Sequence, residues 1–165
     1  PRLDAGPFMM QEKIKIVNDM DSGKLSEKLS SIGSRLIIKS LKLIESKKAK
    51  FFEQNEREAT YAKKIQNKEC QMQWNLPAKI LVAKINGLSP SPGMWFEHRK
   101  NRLKIIKAEE SNLNGDIGKV LDDKLTIGCS AKSIKILQIQ KAGKRSLSTD
   151  EFLLGYEIKK GERLS

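Results

Sequence analysis

The chain has 165 residues, room for one domain or two small ones, and its 32 Lys and Arg outweigh 20 Asp and Glu to give a net charge of +12. That excess is spread over both halves and points to a polyanionic partner such as nucleic acid. No apolar run is long enough to cross a bilayer, and two distant cysteines with one histidine do not make a zinc site, so a soluble intracellular protein without metal and with free thiols is expected.

The chain opens with Pro1-Arg2-Leu3-Asp4-Ala5-Gly6-Pro7-Phe8. Gly6 is free to take a positive φ and Pro7 fixes the exit from the turn, which would hold Asp4 at a strand edge facing a cleft. The same residues are good turn chemistry anywhere, so taken alone they favour Asp4 as a turn former. A carboxylate by itself runs no reaction; it needs a nucleophile to activate or a charged imidazole to hold. Either Asp4 is structural or its partner lies upstream, and a chain that begins with Pro in mid-turn reads as a piece of a longer protein.

Phe8 to Ile16 reads as a strand, apolar on both faces at first and then alternating Ile14 and Ile16 with Lys13 and Lys15. A turn at Asn18 to Gly23 follows, with Asp21 or Ser22 as N-cap of a helix to about Ser46. Leu25, Leu29, Ile32, Leu36 and Leu43, at spacings of four, three, four and seven, make one apolar face that Ile37, Leu41 and Ile44 widen. From Ser46 to about Glu69 the charges lose apolar periodicity and read as a linker. Within it, Tyr61 and Ile65 would anchor an Ala59-to-Ile65 island and leave Lys63 and Lys64 exposed.

Trp74 opens a second unit. Pro77 suits a first helical turn, and Ile80, Leu81, Ile85 and Leu88 give a short helix stopped at Gly87. After a turn containing Pro90, Pro92 and Gly93, short strands are expected at Met94 to His98, Arg102 to Ala108, Ile117 to Leu121, Leu125 to Cys129 and Ile134 to Gln140. Five short strands at that spacing suggest a small barrel or curled sheet. Ser148 or Thr149 caps a last helix with Phe152, Leu153 and Leu154 inward, and the polar tail beyond Gly155 is expected to fray.

Hydrolytic chemistry finds no converging residues. The one histidine, His98, lies in a predicted strand between Glu97 and Arg99 and is expected to be exposed there. Basic residues gather in three places: Lys63 and Lys64 in the linker; Arg99, Lys100, Arg102 and Lys104 around the first hairpin; and Lys141, Lys144 and Arg145 with Gly143 in a turn after the last long strand. Few aromatics interleave with them, which favours phosphate contact over base stacking.

In order along the chain, LDAGPFMMQEKIKI, DSGKLSEKLSSIGSRLI, ATYAKKI, QWNLPAKIL, INGLSPSPG and LQIQKAGKRSLSTDEFLLG resemble the methionyl-tRNA formyltransferase family. The resemblance runs from Leu3 to Gly155 and corresponds to roughly the second half of such an enzyme. It implies an α/β fragment over residues 1–48, the end of a Rossmann-like formyltransferase domain, then a linker over 49–73 and an OB-like β-barrel with short helices over 74–165. It further implies formyl transfer from 10-formyltetrahydrofolate to the methionine amino group of initiator methionyl-tRNA, in the cytoplasm of a bacterium or an organellar matrix, by an enzyme monomeric when complete.

In the family, an Asn, a His and an Asp form the catalytic set, and the Asp lies in an LD-(A or T)-G loop that Asp4 matches. Its role would be to orient and support the His as the amine attacks the formyl carbon. Leu3 and Ala5, in the same loop, would give backbone contacts to folate. The Asn-x-His segment is absent here, so the chain alone is expected to be inactive. The resemblance places tRNA contacts at Lys63, Lys64, Arg99, Arg102, Lys141, Lys144 and Arg145. The sequence departs from the family pattern at Gln73, at Ser91 and at Ser130-Ala131-Lys132. Two alternatives stay open: a stand-alone basic RNA-binding barrel without catalysis, or a folate-dependent relative acting on another acceptor.

Overall fold

The computed structural model describes residues 3–164. The chain divides into two units, one holding the residues up to Asn18 with Lys24–Lys64, the other Asp19–Gly23 with the residues from Ile65 onward.

In the first unit the helical spacing is realised. α1 runs over Ser22–Glu45, most of it in this unit, and Lys42 in its last turn complements the negative end of the helix dipole. None of its residues is buried, and Leu29, Ile37, Ile38, Leu41 and Ile44 keep 46–58% of their surface in water. No helix among the described residues is long and apolar enough to cross a membrane.

The strand expected over Phe8 to Ile16 does not form. Only Phe8 pairs, exchanging both backbone hydrogen bonds with Phe52 at 3.0 and 2.8 Å while the two rings lie 5.8 Å apart. Alternation makes a strand only where a neighbour runs alongside to satisfy the backbone, and here the neighbour supplies one residue. Tyr61 and Ile65, expected to anchor the linker, are exposed at 82% and 48%.

The second unit is built on an antiparallel sheet. Its helices are α2 (Ala78–Leu88) and α3 (Thr149–Gly155). Its strands are β1 (Met94–His98), β2 (Asn101–Ser111), β3 (Thr126–Gly128), β4 (Ser133–Lys141) and β5 (Ser146–Ser148). β1 and β2 are joined by the two-residue loop Arg99-Lys100, whose φ values of 48° and 63° give the primed turn that suits the twist of a hairpin. β2 pairs along nearly the whole of β4, and the other edge of β4 takes β3 near its start and β5 near its end. A register shift around Ile105 to Ala108 bends the long β2. Among the described residues no pairing joins β1 to β3 or β5, so the sheet is open and the closed barrel, one of the two expected forms, is not made.

The period of two puts Met94, Phe96, Leu103, Ile105, Ile134 and Ile136 on one face, all fully buried. Ala78, Leu81 and Ile85, spaced by three and four, bring α2 onto that core. Ile80 falls off this stripe and is 48% exposed, against expectation. Trp74 closes the core edge-on to Phe96 with ring centroids 5.7 Å apart.

Ser148 caps α3 through a capping box: its hydroxyl accepts from the Glu151 N–H, and the Glu151 carboxylate accepts from the Ser148 N–H at 3.0 Å. Phe152 is buried, but Leu154 is 91% exposed, because three successive helical residues cannot face one side. The strand expected at Ile117 to Leu121 is reduced to single bridges, one of them to the tail. As far as Leu164, that tail is paired rather than frayed. Val120 N–H donates to Glu162 O, Gly161 N–H to Val120 O and Leu164 N–H to Gly118 O, each at 2.8 Å, and Ile158 and Leu164 are buried.

Candidate nucleic-acid interface

The buried positions of β1 and β2 dictate what lies on the opposite face. Register pairs Trp95 with Lys104, Glu97 with Arg102, and Lys104 with Gln140, so these side chains share the outward surface of the sheet. The Arg102 guanidinium lies over the Trp95 ring, 3.9 Å from its centroid. The β4–β5 connection folds back as a turn in which Lys144 N–H donates to Lys141 O at 3.0 Å and Gly143 takes a φ of +71°. The Gln140 amide holds that turn by donating to Lys144 O at 2.7 Å.

Together these elements enclose a groove of about 270 Å³ lined by Arg102, Lys104, Gln140, Lys141, Ala142 and Gly143. Three of the lining residues are cationic and none is acidic. A groove of this kind attracts phosphate groups.

The expected contact residues are distributed unevenly about it. Arg102 and Lys141 line the groove; Lys144 and Arg145 are exposed on the turn at its margin. The Lys141 ammonium also sits 5.4 Å from the Tyr156 ring centroid. Arg99 is turned to a carboxylate instead, its guanidinium 3.2 Å from Glu162. Lys63 and Lys64 are exposed in the first unit.

His98 is the clearest correction. It is 7% exposed, its Nδ1 lies 3.1 Å from the Tyr156 hydroxyl and its Nε2 2.8 Å from a Glu162 carboxylate oxygen. An ionised carboxylate only accepts, so Nε2 carries the hydrogen. Tyr156 in turn donates to His98 O at 2.9 Å. Both partners come from the C-terminal segment, 58 and 64 residues away, where no local pattern signals them.

The hydrogen bond from His98, the Lys159 N–H and the nearby Arg99 charge hold the Glu162 carboxyl below its usual value of 4.5, against the opposing effect of desolvation. A carboxyl depressed in the folded state stabilises the fold above its unfolded pKa and loses that contribution as pH falls through the folded one. Melting temperatures followed from pH 6 downward should therefore begin to fall below about 4.5 in part through this group. Glu162→Gln should melt lower at pH 6 and show a shallower acid decline; an identical decline in both proteins would remove Glu162 from the account of acid sensitivity.

Asp4 is exposed on its loop, and it is Asp4, with a φ of 57°, that takes the left-handed conformation expected of Gly6. The Gln54 amide fixes the loop by donating to Asp4 O at 2.9 Å and Gly6 O at 2.6 Å. Leu3 is 91% exposed and Ala5 is exposed beside it. Neither the groove nor a smaller cavity of about 140 Å³ beside Ser148 to Asp150 includes these residues. Cys70 and Cys129 are buried free thiols, and burial pushes Cys129 up to about 11, away from thiolate chemistry. Among the described residues, no group of three or more His, Cys, Asp and Glu side chains is arranged to hold a metal ion.

Residues 64–157 match the family described as formyl transferase, C-terminal domain. The methionyl-tRNA formyltransferase of Pelagibacter ubique is 42% identical over 99% of this chain and 53% of its own length. That of Brucella anthropi is 37% identical over 96% of this chain and 53% of its own length. The chain thus spans about half the length of these curated relatives. Among solved structures, HypX from Aquifex aeolicus superposes with a TM-score of 0.71 at 17% identity, covering 98% of this chain and 32% of that one, a likeness of fold. Another HypX structure, in complex with tetrahydrofolic acid, gives 0.58 at 18% identity over 78% of this chain and 26% of that one.

Proposed function

We infer that this chain, which belongs to the formyl transferase family through its C-terminal domain, serves in transfer of a formyl group from 10-formyltetrahydrofolate to the methionine amino group of initiator methionyl-tRNA. The observation that carries this reading is the 42% identity with the Pelagibacter ubique methionyl-tRNA formyltransferase across 99% of the chain. The cation-lined groove is its physical counterpart, since the acceptor substrate is a polyanion.

Residues 1–48 are read as the end of a Rossmann-like formyltransferase domain, 49–73 as a linker and 74–165 as an OB-like unit whose basic face receives tRNA. Asp4 is assigned the catalytic aspartate, whose charge would orient and support a histidine at the formyl carbon. His98 is not that histidine, being committed to Tyr156 and Glu162. Lys63, Lys64, Arg102, Lys141, Lys144 and Arg145 are assigned to the tRNA backbone. Arg99 contributes less, because Glu162 already neutralises it. The setting is cytoplasmic or organellar, and the complete enzyme a monomer.

The folate donor does not fit the described residues as they stand. Leu3, Asp4 and Ala5 are exposed, and neither of the two cavities described above includes them. They would supply one edge of a pterin site, its other walls belonging to the half of the relatives' length that this chain does not span. The test is formylation of initiator methionyl-tRNA by a hybrid in which this chain follows the first half of the Pelagibacter ubique enzyme.

A further inference from the structure

We propose that the groove beside the β4–β5 turn is a pre-organised seat for a backbone phosphate of the tRNA, with Arg102 as its donor and Trp95 as the residue that positions Arg102. The proposal rests on the tRNA reading above and specifies which cations are already held in place.

Most surface lysines and arginines are ordered only at an entropic cost when they bind. Two in this groove are held beforehand. Arg102 is stacked on half-buried Trp95 at 3.9 Å, which fixes the plane of its guanidinium fork and covers that ring against base stacking. The stem of Lys104 lies where a Cβ on Gly93 would sit, and its ammonium is 3.4 Å from the Pro90 carbonyl. The opposite wall is the Lys141-to-Gly143 turn. A Cβ placed on Gly143 would meet nothing within 4 Å, so phosphate oxygens approach backbone there without obstruction. Glu97 faces Arg102 across the hairpin but does not line the groove, leaving the seat free of carboxylate. Planar donors beside a point charge in a carboxylate-free groove suit a phosphate diester.

A double-mutant cycle on the full chain tests this, using fluorescence anisotropy of labelled initiator tRNA between 50 and 200 mM KCl, with circular dichroism confirming that each variant is folded. Arg102→Ala should weaken binding about tenfold and reduce the salt slope by about one. Trp95→Ala should weaken binding about three- to tenfold, Trp95→Phe should restore most of the loss, and Trp95→Ala should add nothing in the Arg102→Ala background. Fully additive losses, or an unchanged slope in Arg102→Ala, would overturn the proposal while leaving the tRNA reading in place. Wild-type chain that shows no salt-dependent binding would overturn both.

Discussion

Asp4→Asn, placed in the hybrid with the first half of the Pelagibacter ubique enzyme, should lower kcat for formylation by about 10²- to 10⁴-fold and leave the Kd for initiator tRNA unchanged. The effect is electrostatic. A carboxylate next to a histidine favours the imidazolium that forms as the amine loses its proton, and it fixes the ring; an amide of the same shape does neither. Among the described residues, no contact gives Asp4 a folding role that Asn would disturb. Its side chain is exposed, and the hydrogen bonds that fix the loop run from Gln54 to the carbonyls of Asp4 and Gly6. Asn also tolerates the left-handed φ that Asp4 adopts. Parallel losses in kcat, tRNA affinity and melting temperature would instead mark Asp4 as a turn former.

The second large effect concerns the basic turn. Replacing Lys141, Lys144 and Arg145 together with Ala should weaken initiator tRNA binding about 10²-fold near 0.1 M salt and flatten the salt slope by between two and three, as expected for about three lost phosphate contacts. The turn itself should survive, because its backbone bond from Lys144 to Lys141 and the Gln140 clasp on Lys144 O involve no side chain that is removed. The structural losses include the Lys141 ammonium near the Tyr156 ring, an interaction of about 0.5–1 kcal/mol, and the Arg145 charge that favours the Glu151 carboxylate. A flat response of both affinity and slope would take this turn out of the interface.

Much of the second unit was legible because β1 and the first half of β2 alternate buried and outward residues with a period of two, before the register shift that follows Ile105. β1 has the predicted bounds, and β2 and β4 extend the expected segments by a few residues at their ends. The basic turn was legible from Lys141, Gly143, Lys144 and Arg145 alone. What escaped depends on pairing across distance. β5 is three residues long and exists because β4 offers an edge. Phe8 to Ile16 has the alternation of a strand without the neighbour, and the tail pairs with the 117–121 segment although Ile158 and Leu164 are too sparse to form a pattern. The burial of His98 and the stacking of Arg102 on Trp95 share that cause: each is set by register or by a partner elsewhere in the chain. The resemblance carries the family, but the carboxylate-free groove and the engagement of Arg99 with Glu162 arise from residues far apart in the chain.

The most direct measurement is formyl transfer by the hybrid, assayed with 10-formyltetrahydrofolate and initiator methionyl-tRNA. The expected result is turnover that neither half supports alone. A hybrid that folds, binds initiator tRNA and transfers no formyl group would contradict the assignment of this chain to formylation.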